Sequence, residues 1–264
     1  MVVRIEQTER VAGLFGGWQE TMIWSCLQGV MGEIYADARE GPVSAMALLG
    51  DFCFLAGVPD LALVRYAAGQ CRPDFVIMVP QDERWEAAIL EGSKMGKVKT
   101  VSRYAIKKET DVFDRDKLQK IVDGLPEGYV LEMIDEDLFR RCGKICWCRD
   151  LVAQYDDYGL YKKYGLGAVV LKDGELVSGA SSYSGYHGGI EIEIDTREDQ
   201  RRKGLALACG AKLILECLER GWYPSWDAHN MGSVALAEKL GYHLDQEYTA
   251  YEVYDGGKGL DREG

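Results

Sequence analysis

Three consecutive cations stand directly before a glycine in the segment QRRKGLA, residues 200–206. The small and apolar residues that follow predict a helix beginning near Leu205. A helix start presents unpaired backbone N–H groups and a partial positive charge, and Gly204 lets a ligand approach the backbone closely. The side chains of Arg201, Arg202 and Lys203 add full positive charges just before the start of this helix. This turn is therefore a candidate seat for a phosphate group.

Carboxylates alternate with isoleucines immediately upstream of this turn. In IEIEID, residues 190–195, the alternation predicts a strand with three isoleucines on one face and Glu191, Glu193 and Asp195 on the other. The acidic face either meets solvent or lines a cleft, and the pattern leaves both open. Desolvation in a cleft would raise the pKa of a carboxyl group into the range of a general base. Glu191 and Glu193 are the candidate bases, with Glu191 preferred.

The elements that must position these groups are a strand meander and a buried helix. Residues 167–195 predict three antiparallel strands, with turns at Asp173–Gly174 and Gly188–Gly189. Residues 205–220 predict a largely buried helix, because their charges share one stripe: Lys212, Glu216, Glu219 and Arg220. Gly221 is placed to end it.

Three further elements complete the C-terminal half. Residues 222–228, WYPSWDA, predict a strand in which Pro224 implies an edge, a bulge or a splayed pairing. Residues 230–242 predict a helix with Asn230 as the N-cap and Gly241 at its end. Residues 248–254 predict a closing strand.

A turn-rich stretch, DGLPEGY at 123–129, marks the expected domain boundary. We expect an N-terminal α/β domain over 1–125, which would shape an acceptor pocket, and a second domain over 126–264. Strands and helices are predicted on both sides, and one longer helical stretch is expected over 148–165. No internal repeat is visible in the sequence.

Composition limits the partners and the compartment. The formal net charge of -12 argues against a broad nucleic-acid surface or an anionic membrane as the main partner. The eight cysteines lack a secreted disulfide context, and neither a signal sequence nor a membrane span is apparent. The spacing of Cys142, Cys146 and Cys148 is not a usual zinc spacing. We expect a cytoplasmic protein with reduced thiols, among them Cys209 and Cys217 in the core, and without a metal.

The order of elements and two motifs resemble the GNAT superfamily of acyl-CoA-dependent N-acetyltransferases. QRRKGLA matches the Q/R-x-x-G-x-G/A turn, and NMGSVALAEKLGY at 230–242 is similar to the later N-x-x-A/S-x-x-L-Y-E-K-x-G-F/Y segment. The stretches GDFCFLAG, FVIMVPQ and EIEIDTRE resemble a two-domain bacterial subgroup linked to a zwittermicin-resistance-like acetyltransferase. The resemblance implies an α+β protein, with a C-terminal GNAT fold of mixed, mainly antiparallel sheet flanked by helices, after a smaller N-terminal α/β domain.

The resemblance also implies a cofactor site and a reaction. Acetyl-CoA would be the co-substrate, with its pyrophosphate on backbone amides and side chains of the turn and its pantetheine arm along the preceding strand. The implied coenzyme-binding residues are Ile194, Asp195, Thr196, Arg201, Arg202, Lys203, Gly204, Leu205, Ala206 and Asn230. Acetyl transfer to a small primary amine would follow by direct attack on the thioester. No nucleic acid or membrane partner is expected, and a homodimer is allowed.

One family position departs from the pattern. The tyrosine that usually protonates the leaving thiolate is replaced by Ala237. Tyr242 is the candidate substitute, with Tyr183 and Tyr186 as alternatives. The departure leaves open a second function, a coenzyme-binding sensor or scaffold without catalysis. A nucleotide-phosphate site in an unrelated fold is a third alternative, which the antiparallel meander disfavours. His187 and Asp227 are weaker candidates for catalysis and for binding a cationic substrate.

Overall fold

A computed structural model describes residues 1–70, 75–93 and 96–254 of the chain. The chain forms two compact units. The first comprises Met1–Arg103 together with the segment from Tyr248, and the second comprises Tyr104–Glu247. Strands β6 and β13 each begin in one unit and end in the other.

The first unit is built on a mixed sheet in the order β1-β2-β3-β4-β5, followed by the end of β13. Neighbouring strands from β1 to β4 are antiparallel, whereas β4 and β5 are parallel and joined through helix α2. Two short 3-10 helices and α1 lie between β1 and β2 in the chain. The elements are β1 Val3–Arg4, α1 Thr21–Leu27, β2 Glu33–Ala36, β3 Ser44–Leu49, β4 Phe52–Gly57, α2 Leu61–Ala68, β5 Phe75–Pro80, α3 Glu83–Gly92 and β6 Lys97–Ile106.

The second unit contains a five-stranded sheet in the order β11-β10-β9-β8-β7. Strands β7 to β10 are antiparallel in sequence order, and β10 and β11 are parallel. Helix α7 packs on one face and buries an apolar cluster that includes Ile190, Ile192 and Ile214. The elements are α4 Arg115–Asp123, β7 Tyr129–Met133, α5 Glu136–Lys144, a 3-10 helix Cys146–Leu151, α6 Tyr158–Tyr164, β8 Gly167–Lys172, β9 Glu175–Tyr186, β10 Gly189–Thr196, a 3-10 helix Glu198–Gln200, α7 Leu205–Glu219, β11 Tyr223–Ser225, β12 Asp227–Ala228, α8 Met231–Leu240 and β13 Leu244–Tyr254.

The predicted meander is confirmed together with its turn residues. Asp173 and Gly174 have φ values of 51° and 79°, as a two-residue hairpin turn of type I′ requires, and Gly188 has a φ of 107°. The strand before the cationic turn is antiparallel to its predecessor, so the alternative of a P-loop or Rossmann site loses its support. The buried helix ends as expected, with Gly221 at a φ of 66°.

Two predicted elements are broken in the structure. The helix expected over 148–165 is wrong, because a 3-10 helix ends at Leu151 and α6 starts only at Tyr158, where Asp157 caps its first turn. The strand expected over 222–228 is divided into β11 and β12. Its break falls at Trp226, which is buried in the apolar cluster and packs edge-on against Tyr242 with ring centroids 5.5 Å apart.

The structure contains an internal repeat that the sequence did not reveal. Both units run strand, helical connection, three strands, helix, strand, helix in the chain, from β1 to α3 and again from β7 to α8, when β11 and β12 are counted as one interrupted strand. The pairing also repeats, with β2-β3-β4 and β8-β9-β10 antiparallel and with β4-β5 and β10-β11 parallel. The repeat is one of topology, and the sequence shows no corresponding repeat.

The expected boundary at 125/126 falls inside the second compact unit, between α4 and β7. Helix α4 belongs to this unit because Leu118 is fully buried in the cluster beneath α7. A division into domains at 125/126 stays a prediction. Among the described residues, no helix is both long enough and apolar enough to cross a membrane.

Candidate active site

Helix α7 begins differently from the other α-helices in the described residues. Its N-cap, Gly204, has a φ of 81° and supplies no side-chain hydrogen bond to the first turn. The seven other α-helices each have an N-cap side chain that accepts a backbone N–H: Glu20, Asp60, Asp82, Asp114, Asp135, Asp157 and Asn230. The first N–H groups of α7 are therefore available to an external acceptor.

The turn before α7 is cationic and exposed. Arg201, Arg202, Lys203 and Gly204 are all exposed, and Arg202 adopts a φ of 61°. Positive φ at Arg202 and again at Gly204 folds the backbone into the alternating conformation that turns successive N–H groups towards one concavity. Lys203 Nζ lies 2.9 Å from Gln200 Oε1, which holds this ammonium group beside the turn. Geometry and charge both suit an anion.

Strands β10 and β11 separate part of the way along their length. Their ladder has three pairs and ends at Glu191 opposite Ser225, whereas β10 continues to Thr196. The chain after β11 leaves through Trp226 into β12, which pairs instead with Tyr104 and Ala105 of β6. Of the alternatives predicted from Pro224, an edge, a bulge or a splayed pairing, the structure shows an edge strand whose pairing with β10 is splayed. Residues 192–196 form a strand edge of five residues, about 16 Å long, between Glu191 and the cationic turn.

The acidic face of β10 is not a solvated surface. Glu191 is 3% exposed, and Glu193 and Asp195 are half-buried. Burial raises the pKa of Asp195 above its ordinary value, although its Oδ1 accepts the Thr196 N–H at 2.7 Å. Of the two interpretations left open by the alternation, the structure supports carboxylates in an enclosed region. Ile190, Ile192 and Ile194 all pack in the cluster beneath α7, so the alternation holds along the strand.

A β-bulge lies where the two strands part. The pairing of β10 with β9 shifts between Glu191, opposite Ser184, and Ile192, opposite Ser182. The additional residue is Tyr183 on β9, so β10 keeps its regular alternation. The bulge therefore leaves both candidate bases on the face that the sequence assigned to them.

The charge of Glu191 acts on three tyrosines, of which Tyr186 and Tyr242 are buried and Tyr223 is half-buried. Burial is the main cause that raises the pKa of Tyr186, Tyr223 and Tyr242, and the charge of Glu191 adds a smaller contribution to each. Tyr242 donates a 2.6 Å hydrogen bond to the Pro224 carbonyl and is fully buried. All three phenols are therefore protonated near neutral pH.

The remaining sequence candidates lie in different environments. Ala237 is completely buried in the cluster beneath α7. Asn230 caps α8 by accepting the Ser233 N–H at 3.0 Å, which is the capping role predicted for it. His187 is exposed in the turn before β10, and Asp227 is half-buried in β12.

The cysteines of the described residues form no disulfide. Cys209 and Cys217 are buried in the core as expected, and burial raises the pKa of each thiol to about 12. Cys146 is exposed, whereas Cys142 and Cys148 are buried. Within the part of the chain that the structure describes, no three His, Cys, Asp or Glu side chains are grouped to hold a metal ion.

Sequence reasoning did not identify two polar residues beside Glu191. Ser184 on β9 and Ser225 on β11 are its cross-strand partners, and they are 0% and 1% exposed. Nothing in the sequence singled them out, because their proximity to Glu191 depends on strand register and on the bulge at Tyr183.

Comparison with known proteins places the chain in a family. A family model described as GNAT acetyltransferase matches residues 12–251. The chain is 36% identical over 133 residues to the uncharacterized N-acetyltransferase YdfB of Bacillus subtilis (strain 168), a match spanning 48% of this chain and 49% of that protein. About half of that relative's length is thus covered.

Solved structures extend the similarity to nearly the whole chain. A GCN5-related N-acetyltransferase-like protein from Streptococcus suis 89/1591 is 52% identical, with a TM-score of 0.88 over 94% of this chain and 98% of the other. A tandem GNAT protein from the clavulanic acid biosynthesis pathway shares the fold, with 12% identity and a TM-score of 0.56 over 98% and 99% of the two chains. Since the family model covers most of the sequence, the chain belongs to the GNAT acetyltransferase family.

Proposed function

We propose that this chain transfers the acetyl group of acetyl-CoA to a primary amine of a small molecule. One observation carries the proposal. The strand edge over 192–196, which has no partner in β11, joins an uncapped, cation-flanked helix start to the buried carboxylate of Glu191. A ligand with an anionic end, an extended arm and a reactive group would meet all three features in that order.

The turn and the strand edge would divide the binding of acetyl-CoA between them. The pyrophosphate would accept hydrogen bonds from the first N–H groups of α7, at Leu205 and Ala206, with the charges of Arg201, Arg202 and Lys203 around it. The amide groups of the pantetheine arm would pair with the backbone of Ile194, Asp195 and Thr196, in the way that a peptide adds to a sheet edge.

The acetyl group would then lie beside Glu191, in the last pair of the β10–β11 ladder. The amine nitrogen attacks the thioester carbonyl carbon directly, and a carboxylate accepts its proton. Glu191 is the preferred base because it is the most buried of the three acids on β10, and Glu193 is the alternative. Exclusion of water strengthens the interaction between this carboxylate and a cationic amine, which loses one proton to solvent before its nitrogen attacks.

The acceptor is proposed to be a small amine. The net charge of -12 favours the approach of cationic molecules in general. The protein is proposed to act in the cytoplasm without a nucleic-acid or membrane partner.

A coenzyme-binding sensor without catalysis is the second candidate. The observation that favours it is Ala237, a buried methyl group where the family resemblance places a phenol. Release of free thiol from acetyl-CoA in the presence of a panel of small amines separates the two candidates.

The test combines binding and turnover. Calorimetric titration with acetyl-CoA should show binding, and absence of binding at millimolar concentration would reject both candidates. For turnover, Glu191→Gln should reduce kcat by about 10²–10⁴-fold, the usual contribution of a general base. Glu193→Gln, on the same strand face, is the matched control. Equal losses in the two variants would contradict the preference for Glu191, and binding without turnover would favour the sensor.

A further inference from the structure

Three polar side chains form a row across the sheet at the point where β10 and β11 separate. Ser184, Glu191 and Ser225 occupy paired positions on β9, β10 and β11, so their side chains project from the same face. Within the described residues, the hydroxyl oxygens of Ser184 and Ser225 are buried and have no hydrogen-bond partner. Buried hydroxyls are normally paired, so two such groups flanking one carboxylate call for an explanation.

The two serines differ in their position relative to the splay. Ser184 lies on β9, on the side of β10 that is paired along the whole strand. Ser225 lies on β11, in the last pair of the ladder, beyond which the strands separate. On the proposed function, on which this inference rests, the thioester sulfur arrives at that point along the strand edge. Ser225 is therefore on the side of the leaving group, and Ser184 is not.

The reaction requires a proton for the departing thiolate. The family position for a phenol is Ala237, which has no proton to give. The hydroxyl of Tyr242 is fully buried and already donates to the Pro224 carbonyl at 2.6 Å. The Ser225 hydroxyl, in contrast, has no hydrogen-bond partner among the described residues.

We propose that Ser225 is the catalytic residue that donates a proton to the leaving sulfur, in place of the family tyrosine. As the amine nitrogen forms its bond to the acetyl carbon, the C–S bond breaks and Glu191 accepts one proton from the amine. The sulfur takes the hydroxyl proton of Ser225, and Ser225 recovers a proton from the Glu191 carboxyl group in the adjacent strand. One proton thus moves from nitrogen to sulfur, and both side chains return to their initial states.

The chain provides its own matched control. Ser225→Ala and Ser184→Ala each remove one buried hydroxyl that lacks a partner, on either side of the same carboxylate. Neither truncation orphans a hydrogen-bond partner, so both variants should fold, which the thermal unfolding midpoint will verify. Ser225→Thr keeps the hydroxyl and tests rescue.

The assay measures thiol release from acetyl-CoA under saturating amine, with acetyl-CoA affinity measured by calorimetry. We expect Ser225→Ala to reduce kcat by about 100-fold, at the lower end of proton-transfer contributions, with unchanged acetyl-CoA affinity. Ser184→Ala should stay within about threefold of wild type, and Ser225→Thr should recover at least about a tenth of the wild-type rate. This pattern would support proton donation rather than a packing role.

The outcomes distinguish this inference from the proposed function. If wild-type protein turns over an amine and the two alanine variants are equally active or equally impaired, Ser225 is not the donor, although the chain remains an acetyltransferase. The inference is also overturned if Ser225→Ala weakens acetyl-CoA binding without lowering kcat. If wild-type protein binds acetyl-CoA but acetylates no amine, the proposed function fails, and the inference fails with it.

Discussion

The proposal that the pyrophosphate binds at the uncapped start of α7 can be tested by placing a negative charge at that position. Gly204 is the N-cap, has a φ of 81°, and a Cβ added there would meet nothing within 4 Å. Asn and Asp tolerate positive φ better than other residues with side chains, and they have nearly the same shape. Gly204→Asn and Gly204→Asp should therefore share a backbone strain of about 1–2 kcal/mol and differ only by one negative charge.

The difference between the two variants follows from Coulomb's law. A carboxylate about 4 Å from a phosphate charge is repelled by about 1 kcal/mol in a water-like dielectric, which suits this exposed turn. The two charges of a pyrophosphate then give about 2 kcal/mol, or roughly a 30-fold weaker Kd for Gly204→Asp than for Gly204→Asn. The thermal unfolding midpoints of the two variants should be similar.

The assay is calorimetric titration of both variants with coenzyme A at low salt and at about 1 M salt, where screening should remove most of the difference. Pantetheine, which lacks the pyrophosphate, is the control ligand and should bind both variants equally. Equal coenzyme A affinities at low salt, or tighter binding by Gly204→Asp, would show that the pyrophosphate does not lie at the start of α7.

Three other predictions concern stoichiometry, stability and pH. Titration of the wild-type protein should give one acetyl-CoA per chain. Asp60→Asn should give the same stoichiometry, because the described residues of the first unit have no strand edge like that over 192–196. Two sites per chain would contradict this prediction. Tyr242→Phe should lower the free energy of unfolding by about 1–3 kcal/mol, because it leaves the Pro224 carbonyl without its hydrogen-bond donor. The kcat of this variant should stay within about threefold of wild type. A large loss of kcat would instead identify Tyr242 as the acid. The raised pKa of Asp195 means that the folded state holds this proton more tightly, so wild-type stability falls as pH rises from about 3.8 through the folded pKa. Asp195→Asn should abolish that fall. The variant and the wild type should then have equal thermal unfolding midpoints near pH 3, and the variant should have the higher midpoint at pH 7. The same difference between their midpoints at both pH values would refute the assignment.

The elements around the site were predictable because their signals are local. Asp173–Gly174 specified a hairpin turn, Gly221 and Gly241 ended helices, and the alternation over 190–195 gave one strand its two faces. These signals depend on backbone conformation within a few residues. The helix expected over 148–165 failed for a related reason, since its periodicity hid the cap at Asp157 that starts a new helix.

The parts of the site that involve pairing between strands were not predictable. Glu191 could be chosen from its position on a strand, but its burial and its two serine neighbours depend on strand register and on a bulge at Tyr183. Pro224 indicated that a ladder would be incomplete. Where the ladder ends was decided by Trp226, whose burial directs the chain away from β10.

The internal repeat shows why a shared topology can be invisible in sequence. In the first unit, the connection from β4 to α2 is short and ends in Asp60, whose carboxylate accepts the Ala62 N–H at 2.7 Å. Where the second unit has an uncapped helix start and three cations, the first has a helix start closed by an anion, which would repel a phosphate. The residues at the two helix starts could have shown the repeat as a shared sequence motif, but these residues differ between the two units.

The strand edge has been closed in the first unit as well. The parallel ladder of β4 and β5 continues to Leu55 opposite Pro80. Beyond it, Gln81 accepts the Gly57 N–H at 2.9 Å through its side chain, and Trp85 donates to the Gly57 carbonyl at 3.2 Å. Side chains of the first unit thus bind both backbone groups of the residue that follows its parallel ladder. The first unit therefore has the strand order of the second but a side-chain cap at the helix start and side-chain contacts beyond its parallel ladder, so we propose the coenzyme site in the second unit from its local chemistry and not from its fold.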